Sequence, residues 1–475
     1  MALFPRSVDV LIAGAGISGL AAAHWLKKRG RSVLVVEKDR EPGGTMKSVR
    51  RKGFLYETGP NSALETTPLF KELVADLGLE SEMVYADPVG KNRFVLRDGR
   101  LMALPMGPGA FIRTPLFSWK AKFRLMAEPF IGRAEKEESI AEFVTRRIGS
   151  EFLDYAIDPF VAGVYAAQPD QLSVRAAFPK LYALEEKYGG LIRGMIGGAR
   201  ERKKREEKAK DRAESFSFLS GMQTLPNALA ARLGTSFVTG AVLRSVSPTR
   251  TGFRATVLSG GKRLGISARS VIIAMPAHAA ADVVRPLSVE TAEALASIHY
   301  PPVASIFAGY RTGDVRQPLD GFGLLIPTKE RRKILGVLWS SSLFPRRAPK
   351  GMSGFTLFAG GGRQPEVLEL SDKRLAELAL KEMASIMQIQ GKPVYWHVER
   401  WPKAIPQYTV GYSSTLDRLE KFEEANPGLV FCSNFVGGIS VGDCVLSARR
   451  TAERIDDLLG SEKRLPTNLP ESSRM

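Results

Sequence analysis

The chain has 475 residues, of which 44% are hydrophobic and 25% charged, proportions that exclude extensive disorder and collagen-like repetition. Its 68 basic residues outnumber its 50 acidic residues, and the net charge of +18 favours anionic partners such as nucleic acid, an anionic membrane surface or an acidic small molecule. Two cysteines, Cys432 and Cys444, cannot form a disulfide framework in so long a chain. With only four histidines and no paired cysteine spacing, we expect no metal site and a reducing, cytoplasmic location.

The chain begins with a strand, a glycine-rich turn, a helix and a second strand. Residues 8–13 and 32–37 are short apolar runs typical of buried strands, and residues 17–28 between them predict a helix closed by Gly30. No apolar run reaches the roughly 18 residues that a membrane-spanning helix needs. The first run also lacks the basic leader and the cleavage site of a signal peptide.

Further along, helical and strand patterns alternate. Residues 67–78 and 139–155 predict helices, and residues 94–104 predict a hairpin around Asp98-Gly99. Strands are predicted at 236–246, 253–258, 271–275 and 429–433, and a helix is predicted to end near Leu459. Residues 200–214 are nearly all charged and favour a solvated helix, while residues 461–475 favour a disordered tail.

The first turn carries the sequence Gly14-Ala15-Gly16-Ile17-Ser18-Gly19. In a strand-turn-helix unit the first glycine permits the tight turn, the second admits a pyrophosphate, and the third lets the helix pack on the strand. The helix N-terminus offers free N–H groups to phosphates. Glu37 stands about 20 residues on, where a carboxylate can bind a ribose hydroxyl. This arrangement predicts a dinucleotide site.

Two further glycine motifs bear on which dinucleotide binds. Lys38 is followed by Gly43-Gly44-Thr45, and Gly437-Gly438-Ile439-Ser440-Val441-Gly442-Asp443 comes late in the chain. The pair resembles the cofactor contacts of FAD-dependent oxidoreductases of the amine-oxidase and phytoene-desaturase type. In those enzymes the last helix directs its N-terminus at the flavin.

Several motifs resemble those of oxygen-dependent protoporphyrinogen oxidases over residues 8–460. The clearest are Tyr56-Glu57-Thr58-Gly59-Pro60-Asn61-Ser62 and Trp401-Pro402-Lys403-Ala404-Ile405-Pro406-Gln407-Tyr408. Others lie at 91–94, 97–99, 158–165, 216–225, 276–278, 321–327 and 344–349. The resemblance implies an α/β (α+β mixed) fold, with a discontinuous Rossmann-type FAD domain, a mixed-sheet substrate domain and an inserted helical membrane-associated domain.

The same resemblance implies the domain ranges. The FAD domain would comprise residues 1–87, with the start of the substrate domain, then 206–285 and 411–460. The helical domain would comprise 88–205, the substrate domain 286–410, and the tail 461–475.

The implied activity is oxidation of protoporphyrinogen IX to protoporphyrin IX by three rounds of hydride transfer to flavin N5, with oxygen as the acceptor and hydrogen peroxide as a product. Arg93 matches the arginine that pairs with a substrate propionate, a role suited to a bidentate guanidinium. The other implied substrate contacts are Gly163, Leu325, Leu338 and Phe358. The implied FAD contacts are Gly14, Gly16, Ile17, Ser18, Gly19, Glu37, Lys38, Gly43, Gly44, Thr45, Gly59, Pro60, Asn61, Val242, Trp401, Gly438, Val441, Gly442 and Asp443.

Three questions stay open at this stage. No acid or base is assigned, and coproporphyrinogen III is an alternative substrate because relatives of similar sequence oxidise it. Another flavin enzyme on this frame, such as a carotenoid desaturase or an amine oxidase, is a more distant alternative. Absence of a zinc knuckle or RNP motif argues against nucleic acid.

A peripheral contact with an anionic membrane is also expected. Phe111, Ile112, Leu116, Phe117 and Trp119 alternate with Arg113, Lys120, Lys122 and Arg124 in a pattern suited to an interfacial surface, although an ordinary buried helix fits as well. A homodimer is compatible with the sequence.

Overall fold

The computed structural model describes residues 4–202 and 213–461. Most of the charged segment 200–214 and the tail after residue 461 therefore lie outside the described residues. The strands of the described part are β1 (Ser7–Ala13), β2 (Val33–Val36), β3 (Ser48–Arg51), β4 (Phe54–Glu57), β5 (Ala63–Leu64), β6 (Met83–Tyr85), β7 (Phe94–Arg97), β8 (Arg100–Ala103), β9 (Ser215–Phe218), β10 (Phe237–Val238), β11 (Ala241–Thr249), β12 (Gly252–Ser259), β13 (Lys262–Ile273), β14 (Val303–Arg311), β15 (Gly323–Leu325), β16 (Ile334–Leu338), β17 (Met352–Gly360), β18 (Tyr395–Trp401) and β19 (Leu429–Phe431).

Helices occur throughout the described part and are concentrated between β8 and β9. They are α1 (Ile17–Lys28), α2 (Leu69–Leu77), α3 (Pro108–Arg113), α4 (Trp119–Met126), α5 (Ile140–Arg147), α6 (Ser150–Phe152), α7 (Asp158–Tyr165), α8 (Val174–Ala177), α9 (Pro179–Tyr188), α10 (Leu191–Arg202), α11 (Thr224–Leu233), α12 (Ala277–Val284), α13 (Val289–Ala296), α14 (Ser340–Leu343), α15 (Asp372–Met387), α16 (Tyr412–Ala425), α17 (Asn434–Gly437) and α18 (Val441–Ser461).

The first large sheet has the order β10-β2-β1-β13-β12-β11, and β19 also pairs with β13. Strands β10, β2, β1, β13 and β19 run parallel, whereas β11, β12 and β13 form an antiparallel meander. The parallel strands are almost wholly buried because helices cover them, which explains their continuous apolar sequences. This sheet is assembled from three distant segments of the chain.

Helices α1 and α18 pack together although they lie at opposite ends of the chain. Their apolar residues share one core cluster with β1 and β2. At their outer edge Arg29 pairs with Glu453 at 3.1 Å, and Arg31 pairs with Asp456 at 2.6 Å. The last helix thereby returns to the first glycine turn, as a discontinuous cofactor domain requires.

The second large sheet has the order β18-β14-β17-β16-β15-β7-β8. Its strands pair antiparallel except for β15 and β7, which run parallel. The predicted hairpin at 94–104 is confirmed: Asp98 and Gly99 have φ of +52° and +71°, as a two-residue I′ turn demands. This hairpin supplies one edge of the sheet.

Three predicted elements differ from the structure. The strand predicted over 236–246 is divided into β10 and β11, because Gly240 between them adopts a φ of +60°. The helix predicted over 139–155 ends at Arg147, because Gly149 adopts a φ of +101° before the chain resumes in a short helix and a π-helical turn. Strand β13 begins at Lys262 rather than 271, since its first half is a hairpin arm that carries exposed charged residues. No helix of residues 4–202 and 213–461 is both long and apolar enough to cross a membrane.

Candidate active site

The first glycine turn has the close contacts that its sequence predicts. A Cβ on Gly14 would lie 2.7 Å from the Ala274 carbonyl oxygen, and one on Gly19 would lie 2.1 Å from the Gly14 oxygen. A Cβ on Gly16 would meet no protein atom within 4 Å. Gly14 and Gly19 are therefore fixed by packing, whereas Gly16 borders open space where a phosphate group can approach the backbone.

Glu37 lies directly beside this turn. Its Oε2 accepts a hydrogen bond from the Ala15 N–H at 2.6 Å, and its Oε1 accepts one from the Asp39 N–H at 2.9 Å. The carboxylate is buried with 6% exposure. Lys38 is exposed, and its Nζ lies 3.8 Å from Asp39.

The second glycine pair packs against the first turn. Gly43 donates its N–H to the Ala15 oxygen at 2.8 Å and forms a parallel bridge with Gly16. A Cβ on Gly44 would lie 3.5 Å from the Gly16 Cα. The two stretches of backbone therefore form one pocket wall, although Gly16 and Gly43 lie 27 positions apart in the sequence.

Residues 58–61 continue this wall. A Cβ on Gly59 would lie 1.9 Å from the Thr45 oxygen, so only glycine fits there. The Asn61 side-chain amide donates to the Gly59 oxygen at 3.1 Å, and Pro60 between them is half-buried. Thr45, Gly59, Pro60 and Asn61 thus form one continuous surface.

The C-terminal glycine motif reaches the same region. Gly438 has a φ of +111°, and a Cβ there would lie 2.7 Å from the Asp443 Cβ. Asp443 accepts a hydrogen bond from Ser440 at 2.6 Å within the turn that starts α18. Burial raises the pKa of the Cys444 thiol to about 11, while a hydrogen bond with Ser18 of the first turn opposes this shift. That contact brings the two glycine motifs together.

The remaining predicted cofactor residues lie around this pocket. Ile17 begins α1, whereas Val441 and Gly442 begin α18, and all three are buried. Val242 follows Ala241, whose N–H donates to the backbone carbonyl oxygen of Glu37 at 2.8 Å. Trp401 ends β18.

These residues fit a flavin dinucleotide. The first turn leaves space at Gly16 and presents the start of a 12-residue helix, while α18 begins beside it. The N-termini of α1 and α18 converge although the helices lie at opposite ends of the chain. The positive end of the α1 dipole suits a pyrophosphate, and that of α18 suits an electron-rich ring.

The predicted substrate contacts Leu325, Leu338 and Phe358 lie on one face of the second sheet. Leu325 pairs with Gly336 of β16, and Gly336 pairs with Phe358 of β17. Leu338 lies two residues after Gly336, so its side chain points to the same side. All three are partly exposed, whereas Gly336 between them is buried, and a Cβ there would lie 2.7 Å from the Leu324 oxygen.

The opposite face of these strands is ordinary core. Leu324, Val337 and Leu357 are 2%, 1% and 0% exposed. Apolar side chains are thus buried on one face and partly exposed on the other, as expected if a ligand covers part of the exposed face.

Gly163 lies in α7, which packs over this accessible face. A Cβ on Gly163 would lie 2.6 Å from the Leu325 Cδ2. Gly163 itself is exposed, and its α-carbon lies directly against Leu325.

Arg93 stands at the rim of the same face. It lies two residues before Val95, which pairs with Leu325, and its side chain is exposed. The guanidinium carbon is 5.5 Å from the centre of the Phe322 ring. Within residues 4–202 and 213–461 no acidic side chain forms an ion pair with Arg93, which leaves the guanidinium available to an external carboxylate.

A buried ion pair that the sequence did not single out lies behind this site. Arg347 pairs with Glu57 at 3.2 Å, and both side chains are at most 3% exposed. Burial raises the pKa of the Glu57 carboxyl against the opposing effect of Arg347, and burial lowers the pKa of Arg347. The pair lines a small cavity together with Asn61 and Leu338. Both residues fell within quoted motifs, but their 290-residue separation gave no signal of pairing.

Comparisons with known proteins agree with this arrangement. Residues 17–456 match the model of the flavin containing amine oxidoreductase family. Protoporphyrinogen oxidase 2, chloroplastic/mitochondrial, of Arabidopsis thaliana is 32% identical over 494 residues, covering 95% of this chain and 94% of that protein. Coproporphyrinogen III oxidase of Bacillus subtilis is 29% identical, covering 92% and 95%.

Among solved structures, a protein of Exiguobacterium sp. 255-15, provisionally named a protoporphyrinogen oxidase, superposes with a TM-score of 0.78. It is 22% identical and the match covers 96% of this chain and 99% of that one. This similarity extends the shared fold over nearly the whole length of both chains.

Proposed function

Since the chain belongs to the flavin-containing amine oxidoreductase family and therefore uses FAD, we propose that it oxidises protoporphyrinogen IX to protoporphyrin IX with oxygen as the acceptor. The observation that carries the proposal is the partly exposed sheet face with Leu325, Leu338 and Phe358, which has at its rim an arginine that forms no ion pair within residues 4–202 and 213–461. The similarity to a plant protoporphyrinogen oxidase over 95% of the chain supports it.

The reaction removes six electrons and six protons from the macrocycle. Bound FAD would supply a two-electron acceptor at N5 that oxygen reoxidises, so three rounds would yield three molecules of hydrogen peroxide. Aromaticity of the product supplies much of the driving force. The chain must therefore chiefly position the macrocycle.

Four of the five predicted substrate contacts have a stated part in that positioning. Arg93 anchors a propionate by a charge-assisted bidentate pair. Leu325 and Phe358 hold one face of the macrocycle, and the exposed backbone at Gly163 faces it from α7. The apolar lining excludes water from the reacting carbon. We assign no acid or base.

Coproporphyrinogen III is the second candidate substrate. The similarity to the Bacillus subtilis coproporphyrinogen III oxidase over 92% of the chain favours it. That substrate carries four propionates instead of two, so it would need more basic groups at the rim than Arg93 alone.

An anionic membrane surface is the proposed partner beyond substrate and oxygen. Exposed apolar side chains concentrate in α3, α4, the turn after α4, and α10. This exposed apolar patch consists of Met106, Ile112, Trp119, Phe123, Met126, Phe130, Met195 and Ile196. Arg113 and Lys120 are exposed beside it, a combination that favours anionic lipid.

The patch differs from the one expected from sequence. Leu116 and Phe117 are buried, at 0% and 4% exposure, and belong to the core. Lys122 is buried too, and its Nζ donates to the Ile112 and Thr114 carbonyls at 2.8 Å. Arg124 donates to carbonyls of α5 instead of facing outward. Two of the basic residues of this segment therefore bind backbone carbonyls, Lys122 within the segment and Arg124 in α5.

The domain division is likewise retained as a proposal. The first sheet draws strands from residues 7–36, 237–273 and 429–431, and these lie within the ranges proposed for the FAD domain. A cytoplasmic location and a homodimer also remain proposals; the Arabidopsis relative is described as chloroplastic/mitochondrial.

The test is porphyrin fluorescence after addition of either porphyrinogen, separately, to the yellow purified protein in air. Faster turnover of protoporphyrinogen IX is the expected result. Faster turnover of coproporphyrinogen III would transfer the proposal to the second substrate. No turnover of either by folded, FAD-loaded protein would contradict both.

A further inference from the structure

A buried carboxylate joins the two segments that form the exposed apolar patch. One segment comprises α3, α4 and the turn after α4, and the other is α10. Glu128 lies in that turn between Met126 and Phe130, which are 70% and 85% exposed, whereas Glu128 itself is 0% exposed. Its side chain therefore points into the protein from between two of the most exposed members of the patch.

The Glu128 carboxylate caps the first turn of α10. Its Oε1 accepts the Leu191 N–H at 2.7 Å, and its Oε2 accepts the Ile192 N–H at 3.0 Å. A helix leaves such N–H groups without a partner at its start, and a negative charge there also suits the positive end of the helix dipole. One side chain from the turn after α4 thereby fixes where α10 begins.

Arg147 of α5 holds the carboxylate in that orientation. Its Nη1 donates to Glu128 Oε1 at 3.2 Å and to the Ile131 carbonyl oxygen at 2.9 Å. On its other side, Nε donates to Glu185 Oε2 of α9 at 2.9 Å, and Nη2 lies 2.8 Å from Oε1. The Arg147 side chain is 0% exposed, so displacement of either carboxylate would leave a buried charge poorly paired, which is costly.

Beyond its first turn, α10 packs on α9 through glycines. A Cβ on Gly194 would lie 2.7 Å from the Leu184 Cβ, and one on Gly197 would lie 2.8 Å from the Tyr188 ring. The large side chains of Met195 and Ile196 are instead 62% and 73% exposed. An ordinary surface helix turns its apolar face inward, so this stretch of α10 shows the reverse arrangement.

Positive charge borders both segments of the patch. Arg113 and Lys120 are exposed beside the first segment, and Arg193 is exposed on α10. None of the three forms an ion pair within the described ranges 4–202 and 213–461. Exposed apolar side chains bordered by such cations suit an anionic lipid surface.

We propose that Glu128 is a positioning residue for lipid binding, which joins α10 to the turn after α4 so that both segments enter an anionic lipid surface together. This inference rests on the membrane contact of the proposed function. Each segment presents only a few large apolar side chains. Two segments held in one arrangement bind more tightly than two independent ones, because the second binds without a further loss of freedom.

The test is sedimentation of the FAD-loaded protein with phosphatidylglycerol vesicles. It compares the wild type with Glu128→Gln, Ile196→Ser and the double variant. Ile196→Ser should weaken binding about tenfold, because it removes an apolar side chain that lipid would bury. Glu128→Gln should weaken binding by a similar factor. The double variant should bind no more weakly than Glu128→Gln, since Ile196 contributes only while α10 is held in place.

Glu423→Gln is the matched control. Glu423 also accepts a backbone N–H, from Phe431 at 2.7 Å, and also pairs with an arginine, Arg454 at 2.6 Å. Its side chain is 13% exposed and it lies in α16, outside both segments of the patch. This variant should lower the thermal midpoint but leave vesicle binding unchanged.

A second variant moves α10 without changing any charge. The Cβ of Gly194→Ala would press against Leu184 and displace α10 from α9. If Glu128→Gln fails to fold, Gly194→Ala decides. It should weaken vesicle binding and should likewise abolish the further effect of Ile196→Ser.

The outcomes separate the two proposals. Wild-type protein that does not bind phosphatidylglycerol vesicles, or that binds neutral phosphatidylcholine vesicles equally well, would overturn the anionic membrane contact of the proposed function. Wild-type protein that binds, together with Glu128→Gln protein that binds as tightly, would overturn the positioning role alone. Additive losses in the double variant would also overturn it, because Ile196 would then act independently of Glu128.

Discussion

The Trp401 indole N–H donates a hydrogen bond to the Thr58 carbonyl oxygen at 2.7 Å, across 343 positions of the sequence. Trp401 ends β18 and pairs with Val303 on the sheet face that also carries Phe358. Thr58 directly precedes the Gly59-Pro60-Asn61 wall of the proposed cofactor pocket. One hydrogen bond therefore connects the proposed substrate wall to the proposed flavin contact.

Loss of this bond should loosen that connection. We expect Trp401→Phe, which keeps an aromatic ring but removes the donor, to leave the Thr58 oxygen unpaired at a cost of about 1 kcal/mol. The holoenzyme should unfold at a lower temperature and release FAD faster, measured by visible absorbance after dilution. Trp396→Phe is the control, because Trp396 is 39% exposed on the same strand; equal FAD release from both variants would contradict the prediction.

Gly16 offers a test of the cofactor pocket that does not depend on catalysis. Its φ of −70° suits any residue, and no protein atom lies within 4 Å of an added Cβ. Gly16→Val should therefore fold but place its side chain where the pyrophosphate binds, so the purified protein should lose its yellow colour. Gly132→Val adds the same side chain in open space elsewhere and should stay yellow. A yellow Gly16→Val protein would show that the cofactor pyrophosphate does not bind at Gly16.

Arg93 is predicted to bind a substrate carboxylate. Removal of a charge-assisted pair should raise KM roughly tenfold or more in Arg93→Ala, with FAD content unchanged. Arg100→Ala is the control, because Arg100 is exposed on the neighbouring strand of the same hairpin. Steady-state kinetics with protoporphyrinogen IX measures the effect. A KM equal to that of the control would remove Arg93 from the site.

The exposed apolar patch should determine lipid binding. Each large apolar side chain buried in lipid contributes about 1.5–3 kcal/mol, so Trp119→Ser with Phe123→Ser should weaken binding to phosphatidylglycerol vesicles at least about tenfold. The control is Val289→Ser with Val394→Ser, two exposed positions outside the patch, and it should not weaken vesicle binding. Sedimentation with vesicles measures both. Unchanged binding by the first double variant would place the membrane contact elsewhere.

Glu151 should make stability depend on acid pH. Burial alone would raise the pKa of its carboxyl, but hydrogen bonds from Ser118 and Arg97 outweigh burial and hold the pKa below the ordinary 4.5. This stabilisation is present above that value and is lost as pH falls through the folded-state pKa. Glu151→Gln should thus lower the urea midpoint near neutral pH, and the difference from the wild type should disappear as the pH falls below the folded-state pKa. Glu135 is an exposed acid, so Glu135→Gln should have the urea midpoint of the wild type at every pH. A difference in urea midpoint between Glu151→Gln and the wild type that does not change with pH would contradict the prediction.

The sequence predicts best what is local. The glycine turn and the Asp98-Gly99 hairpin each depend on a few adjacent residues with special backbone angles, and both are as expected. Asp158 and Arg363 lie 205 positions apart, so their pairing depends on the whole fold and leaves no local pattern. The prediction that Lys122 lies on an exposed surface was wrong for a related reason. Its basic character suggested an exposed surface, but the carbonyls that bind it became apparent only in the folded backbone.

We propose above all that this flavin enzyme removes six electrons from a porphyrinogen and passes them to oxygen. An oxygen electrode combined with porphyrin absorbance measures it directly, as the ratio of oxygen consumed to porphyrin formed. We expect about three molecules of oxygen per protoporphyrin IX, with hydrogen peroxide in the same amount. Oxygen consumption without porphyrin, or no consumption above the spontaneous rate by FAD-loaded protein, would contradict it.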